Sequence, residues 1–321
     1  MASLQRIATA SAKIILVGEH AVVYGVPAIA IPVSSLRASA SFAANPPGVH
    51  GLRIVAADLD QMLPVDISSD DVDNALALTA RLVLRRIGLP VPNVTITVTS
   101  HIPMASGLGS GAAVSTAIAR AVCLAADHEL SAADLNSIVY EVEKIYHGTP
   151  SGIDNTVIVY EQPVYFRRDH PIETFSIGAP LTLVIGDTGK GALTKVAVGA
   201  VRELVTNQPD RYRPIIDAIA ELVKSARIAI EEGDLPRLGE LMNQNHMLLQ
   251  QLTVSSLELD LLTEAARKAG AFGAKLSGGG RGGNMIALVA PEKCAAVEQA
   301  LIAAGAVRVF VTQLNASGGR A

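Results

Sequence analysis

The stretch Pro103-Met104-Ala105-Ser106-Gly107-Leu108-Gly109-Ser110-Gly111-Ala112-Ala113 decides how the chain is read. Before it, Val94–Thr99 alternates apolar residues with threonine, the pattern of a half-buried strand. After it, an alanine-rich run to about Ala126 reads as a long helix. A glycine-rich turn between strand and helix lets backbone N–H groups converge on one point. The helix opening at Ser110 adds unpaired N–H groups and the positive end of its dipole. Together these suit an anion such as a di- or triphosphate. The spacing Gly107-x-Gly109-x-x-Ala112 also fits the dinucleotide fingerprint of a Rossmann unit. That unit returns from its first helix to a parallel strand. Here a second helix follows instead: Ser131 and Asp134 have capping-box spacing, Leu135, Ile138, Val139 and Val142 form an apolar stripe, and Gly148 and Pro150 stop it. No Gly-Lys-Ser/Thr of a Walker A loop occurs. A tight strand–helix junction without any ligand fits the turn as well, so its meaning depends on the rest of the chain.

Three further segments bear on it. The first is Ser11-Ala12-Lys13-Ile14-Ile15-Leu16-Val17-Gly18-Glu19-His20-Ala21-Val22-Val23-Tyr24-Gly25. Lys13–Val17 reads as a strand, with Lys13 at its start and Glu19-His20 in the loop after it. Ala28–Val33 reads as the next strand, beyond a turn near Gly25. Taken singly, Lys13 could be a solvated strand end and His20 an ordinary loop residue. The second segment runs from Glu143 through His147, Pro150, Ser151 and Gly152 to Asp154 and Asn155. Ser151-x-x-Asp154 has capping-box spacing, which would make Asp154 a helix cap. Helical spacing does not choose between Glu141 and Glu143 as the carboxylate facing inward. The third is Gly273-Ala274-Lys275-Leu276-Ser277 followed by Gly278-Gly279-Gly280-Arg281-Gly282-Gly283-Asn284. Five glycines in six positions exceed what a hairpin needs, and point to backbone approaching a ligand closely.

A helix is expected over Asp70–Ile87, and a domain boundary near the charged link Arg167–His170. Beyond the link the order is strand (Leu181–Ile185), several helices, strand (Ala274–Leu276), strand (Met285–Val289), helix (Pro291–Ala304) and strand (Val307–Val311). With the helices taken as one insertion, this is a split ferredoxin-like βα-ββ-αβ arrangement.

In this order, the segments resemble the signature motifs of the GHMP kinases, the superfamily of galactokinase, homoserine kinase, mevalonate kinase and phosphomevalonate kinase. The form Lys13-x-x-Leu16-x-Gly18-Glu19-His20-Ala21-Val22-Val23-Tyr24-Gly25 resembles the mevalonate kinase branch, and the similarity extends to Asn245-His246 in a C-terminal helix. The resemblance implies an α+β protein of two domains. Residues 1–172 would form a ribosomal-S5-domain-2-like ATP-binding domain, and residues 173–321 a ferredoxin-like domain. It implies ATP-dependent phosphorylation of an alcohol, the 5-hydroxyl of mevalonate, with Mg2+. The alternatives are phosphomevalonate, homoserine, or a module that binds metabolites without catalysis. By position, Asp154 matches the catalytic aspartate and Lys13 the lysine paired with it. Glu143 matches the metal-binding glutamate, with Ser110 as a second ligand. Ala105, Ser106, Gly107, Leu108, Gly109, Ser110 and Gly111 match the ATP phosphate loop, and Ser100 a nucleotide contact before it. Glu19 and His20 match residues near the substrate, as do Thr194 and Gly278, Gly279 and Gly280, with Thr188 nearby. Two positions depart from the pattern. Gly111 stands where the family usually has a metal-binding serine, and Arg281 replaces a common glycine in the third loop.

Composition agrees with a small-molecule enzyme. The chain has 321 residues, 50% hydrophobic and 3% aromatic without tryptophan, so its core is aliphatic. A net charge of −4 does not favour phosphate backbones or anionic lipid, and few aromatics are present to stack on bases. Cys123 and Cys294 form no CxxC pair. The run Ile14–Val17 is too short for a signal peptide, and no apolar stretch spans a bilayer. The expectation is a cytoplasmic protein with small-molecule partners, no nucleic acid and no membrane, with room for a homodimer.

Overall fold

The computed structural model describes residues 6–104, 106–148, 150–191 and 194–316, apart from the side chains of Tyr146 and His147. The chain divides into two compact units. The first comprises the chain up to Ala12, Leu36–Pro103 and Gly109–Glu161; the second comprises Lys13–Ser35, Met104–Leu108 and the chain from Gln162 onward.

Strands β1 (Ile7–Val17) and β2 (Ala28–Ala44) contribute to both units. Both are longer than the sequence suggested. Beyond Val33 the exposed Ser34-Ser35 pair reads as a break, yet the strand continues with one face inward: Leu36, Ala38 and Ala40 are buried, while Arg37, Ser39 and Ser41 are not. Small alanines and serines hide this period of two, because the two faces differ little in hydrophobicity. In the first unit, β3 (Arg53–Ala56) and β4 (Gln61–Pro64) pair antiparallel around a 3-10 turn at Ala57–Leu59. The sequence pattern marks no strand here. Helix α1 (Ala75–Ile87) begins five residues later than expected. The acidic residues before it form side-chain-closed turns, with Asp73 N donating to Asp71 Oδ1 at 2.8 Å, and Asn74 is the N-cap. Strand β5 (Val94–Ser100) pairs antiparallel with the second stretch of β2 and parallel with β3.

Helix α2 (Ser110–Ala125) packs against β5, α1, α3 (Ala132–His147) and α4 (Ile153–Tyr160). Contact with so many elements explains its composition: Ala112, Ala113, Ala117, Ala119 and Ala121 are fully buried, and small side chains let the neighbouring helices come close. Ser131 caps α3 as its spacing predicts, accepting from Asp134 N at 3.1 Å, and Gly148 ends the helix.

In the second unit, β6 (Val164–Phe166) pairs with Ala28–Ala30 of β2 and with β7 (Glu173–Thr174). Strand β8 (Leu181–Asp187) follows, then α5 (Thr194–Asn207), α6 (Pro209–Glu232), α7 (Leu235–Gln251) and α8 (Leu257–Lys268). The unit closes with β9 (Gly273–Ser277), β10 (Asn284–Val289), α9 (Cys294–Ala303) and β11 (Arg308–Leu314). The sheet order is β11-β8-β10-β9 with every neighbour antiparallel, the split ferredoxin-like topology with four helices inserted. Helix α7 lies directly on β9. A Cβ on Gly273 would stand 1.9 Å from the Gly239 carbonyl oxygen, so the close approach of helix and strand requires glycine there. Among the described residues no helix is long and apolar enough to cross a membrane.

Candidate active site

The first unit holds Ser100, Gly109, Ser110, Gly111, Glu143 and Asp154. Gly109 is the N-cap of α2, in the left-handed region at φ 74°, and no side chain caps the helix. The first turn also has no acidic residue, so its N–H groups are open to an external anion. Gly111 lies inside the helix and is absent from the positive-φ glycines, so a side chain at this position meets no backbone objection. Ser110 Oγ donates to Ile102 O at 3.4 Å, which leaves its lone pairs available. Ser100 is fixed by Asp58, whose carboxylate accepts from Ser100 N at 2.7 Å.

Helix α2 packs on both helices that carry the acidic candidates. Glu143 is buried at 2% exposure, whereas Glu141 is exposed and bonded to Lys144 at 2.7 Å. Asp154 is the second residue of α4. The N-cap is Gly152, so Ser151 does not occupy the cap position that its spacing suggests. The donor set fits a hard cation, because Glu143 and Ser110 offer only oxygen. Among the described residues no group of three or more His, Cys, Asp or Glu could hold a metal. A Mg2+ here would therefore take the rest of its shell from phosphate oxygens and water.

The second unit gathers Lys13, Glu19, His20, Ser106, Gly107, Leu108, Thr194, Gly278, Gly279 and Gly280. Their contacts join segments far apart in the chain. Lys13 N donates to Leu108 O at 3.0 Å. Asn284 Nδ2 donates to Ser106 O, and Ser277 Oγ to Ile15 O at 2.9 Å. Thr188 Oγ1 donates to Gly283 O at 2.9 Å. Gly279 closes on the start of α5, where a Cβ would meet Thr194 Oγ1 at 2.8 Å. Gly107, at φ 82°, has no atom within 4 Å of where a Cβ would stand. Ala105 lies outside the described residues.

Two polar residues follow β1. His20 sits at φ 61° and its Nε2 is 3.0 Å from Gly279 O. A carbonyl only accepts, so Nε2 carries the proton and Nδ1 is a bare acceptor. Burial holds the ring's pKa down to about 4, so it is neutral at pH 7. Glu19 is bonded through Oε1 to Lys275 Nζ, and both residues are almost fully buried. Lys275 Nζ also donates to Leu276 O at 2.6 Å. Burial pushes the Glu19 carboxyl upward and the Lys275 ammonium downward, while their mutual attraction opposes both shifts. Lys275, Asn284 and Ser277 were not among the sequence candidates. Their one signal was a lysine inside an apolar strand pattern beside the glycine run.

Residues 74–162 match the family model for the GHMP kinases N terminal domain, and residues 226–307 match that for the GHMP kinases C terminal. The mevalonate kinase of Thermococcus sibiricus is 38% identical over 97% of this chain and 97% of its own. The chain belongs to the GHMP kinases. It has their two-domain fold, and it is an ATP-dependent kinase. The mevalonate kinase of Pyrococcus abyssi is 37% identical over 97% of this chain and 96% of its own. Among solved structures, that of L. major mevalonate kinase in complex with R-mevalonate superposes with a TM-score of 0.83. It is 30% identical and covers 97% of this chain and 96% of that one.

Proposed function

We propose that this kinase transfers the γ-phosphoryl group of ATP to the 5-hydroxyl of mevalonate, giving 5-phosphomevalonate and ADP. The observation that carries this reading is the 38% identity to a mevalonate kinase across 97% of both chains, which takes in both family domains and all three motif segments. The L. major enzyme, similar over nearly the whole chain, was solved with R-mevalonate.

In this reading the alcohol oxygen forms a bond to the γ-phosphorus, and the bond from that phosphorus to the β–γ bridging oxygen breaks. Asp154 accepts the hydroxyl proton. Lys13 supplies positive charge for the developing phosphate charge, and the open N–H groups at the start of α2 hold phosphate oxygens. Glu143 and Ser110 would hold Mg2+, whose contribution is to neutralise phosphate charge. Ser100 and the loop from Ser106 to Gly111 bind the nucleotide, while Glu19, His20, Thr194 and Gly278–Gly280 bind the alcohol. We place the boundary between the two family domains at residues 172/173, and the enzyme in the cytoplasm.

The test is a coupled ADP-release assay over mevalonate, phosphomevalonate, homoserine and galactose, with phosphorus NMR of the product. Mevalonate should give the highest kcat/KM and a 5-phosphate. Preference for phosphomevalonate, or a 3-phosphate product, would remove the assignment and leave the family intact.

A further inference from the structure

Of three buried side chains that meet in the second unit, Glu19 and His20 have a role above and Lys275 has none. Lys275 has no exposed surface, and Glu19 is exposed by only 1%. Withdrawing both charges from water is costly, and such a pair often contributes nothing net compared with apolar residues. An ion pair that existed only for stability would satisfy all of its atoms. This one does not. Glu19 Oε1 takes the lysine, but Glu19 Oε2 is buried with no hydrogen-bond partner. The next residue repeats the pattern: His20 Nε2 is engaged by Gly279 O, while His20 Nδ1 is buried without a partner.

Both orphaned atoms are acceptors. Glu19 Oε2 belongs to a carboxylate, and His20 Nδ1 is the unprotonated nitrogen of a neutral ring. A carboxylate or phosphate ligand would be repelled by such atoms, whereas a hydroxyl can donate to them. Unpartnered buried acceptors of this kind call for a group from outside the chain.

We propose that Lys275 is a positioning residue for the alcohol substrate: by holding Glu19 through Oε1 it fixes the carboxylate and presents Oε2, together with His20 Nδ1, as a buried acceptor for a substrate hydroxyl. Lys275 itself touches no substrate. The role rests on the reading of the chain as an alcohol kinase and adds the group that its Glu19 requires. The cations facing Glu19 are Lys275 and Lys13, and those facing His20 are Arg281 and Lys275. Lys275 is hydrogen-bonded to the carboxylate in question. Burial pushes the Glu19 carboxyl upward and Lys275 is the main group opposing it, so removing the lysine pushes the carboxyl further up.

The experiment is the pH profile of kcat/KM for Lys275→Met from pH 6 to 9.5. It is run on whichever alcohol the wild-type enzyme turns over best, so that failure of the mevalonate assignment is seen separately in the wild type. The expected result is a loss of about 10–100-fold at pH 7, the worth of a hydrogen bond to a charged acceptor, that shrinks as the pH rises. KM for ATP should stay within twofold. A loss that is the same at every pH, or no loss, overturns the proposal, since a structural role has no reason to recover in alkali. Where Lys275→Met does not fold, the double variant Glu19→Gln/Lys275→Met carries the test, because it leaves no unpaired charge. It should bind the alcohol about tenfold more weakly, the difference between a charged and a neutral acceptor, and an ATP analogue as tightly as the wild type. Wild-type affinity for both ligands would overturn the proposal.

Discussion

Acid should destabilise the second unit through His246, by an amount that can be worked from its surroundings. The ring sits on α7 with 2% of its side chain exposed. Its Nδ1 accepts from Leu276 N on β9 at 3.3 Å. Nε2 therefore carries the proton and donates to Asp260 Oδ1 at 3.1 Å. A second proton would have to enter at Nδ1, against a backbone N–H and inside the core. Asp260 favours that proton, but burial outweighs it and lowers the pKa from 6.5 to about 4. The unfolded chain takes up its proton near 6.5 while the folded chain refuses it down to about 4, so this stability is present above pH 6.5 and is lost as pH falls through that window. The full span corresponds to about 3 kcal/mol at 1.36 kcal/mol per pH unit, of which about 2 kcal/mol is lost by pH 5. His20 shifts in the same direction and Glu19 in the opposite one, so the wild-type slope alone is a mixture. The comparison with His246→Asn isolates the residue, because the asparagine Oδ1 can accept from Leu276 N without titrating. Urea unfolding at pH 7 and pH 5 should show the wild type losing about 2 kcal/mol more than the variant. Equal losses in the two proteins would refute the argument, as would a wild type that gains stability relative to the variant in acid.

Two further outcomes follow from the first unit. Asp154→Asn should lower kcat by about 10²–10⁴-fold, with ATP-analogue affinity and melting temperature nearly unchanged; kcat within twofold of the wild type would refute the role of proton acceptor. Glu143→Gln should raise the Mg2+ concentration for half-maximal rate at least about tenfold by removing the carboxylate charge from the shell, whereas Gly111→Ser should lower it by adding a hydroxyl ligand. Because Gly111 is helical, its serine variant should also melt no lower than the wild type; an unchanged Mg2+ requirement in Glu143→Gln with a normal melt would show that the ligand lies elsewhere.

What could be read before folding was whatever depends on near neighbours. The Ser110 helix start and the Ser131 cap follow from spacing within a few residues, and the structure has them where the spacing puts them; the succession from β8 to β11 also holds, with α9 starting three residues later and β11 ending three residues later than the pattern suggests. The limits of β2 and the β3–β4 pair were not legible. Their residues are small or weakly patterned, and pairing partners rather than intrinsic preference make them strands. The site divides along the same line. Glycine runs mark the loops, because a glycine's backbone freedom is a local property. The function of Lys275 is not local: within Gly273–Ser277 it is a polar residue interrupting an apolar strand, and its partner Glu19 is 256 residues away. Glu143 and Glu141 show the same limit at short range. Two residues apart on one helix, they have similar angular distance from the apolar stripe, and it is the packing of α1, α2 and α4 on α3 that distinguishes the buried Glu143 from the exposed Glu141. The general consequence is physical. Charged residues in a core are stable only through specific partners, so a lysine or glutamate that breaks an apolar pattern implies a partner that the local sequence does not contain. In this chain the implied partners of Lys275 and of Glu19 are each other. The acceptor that Glu19 retains after that pairing is one of the places among the described residues where the fold leaves a hydrogen bond for something other than itself.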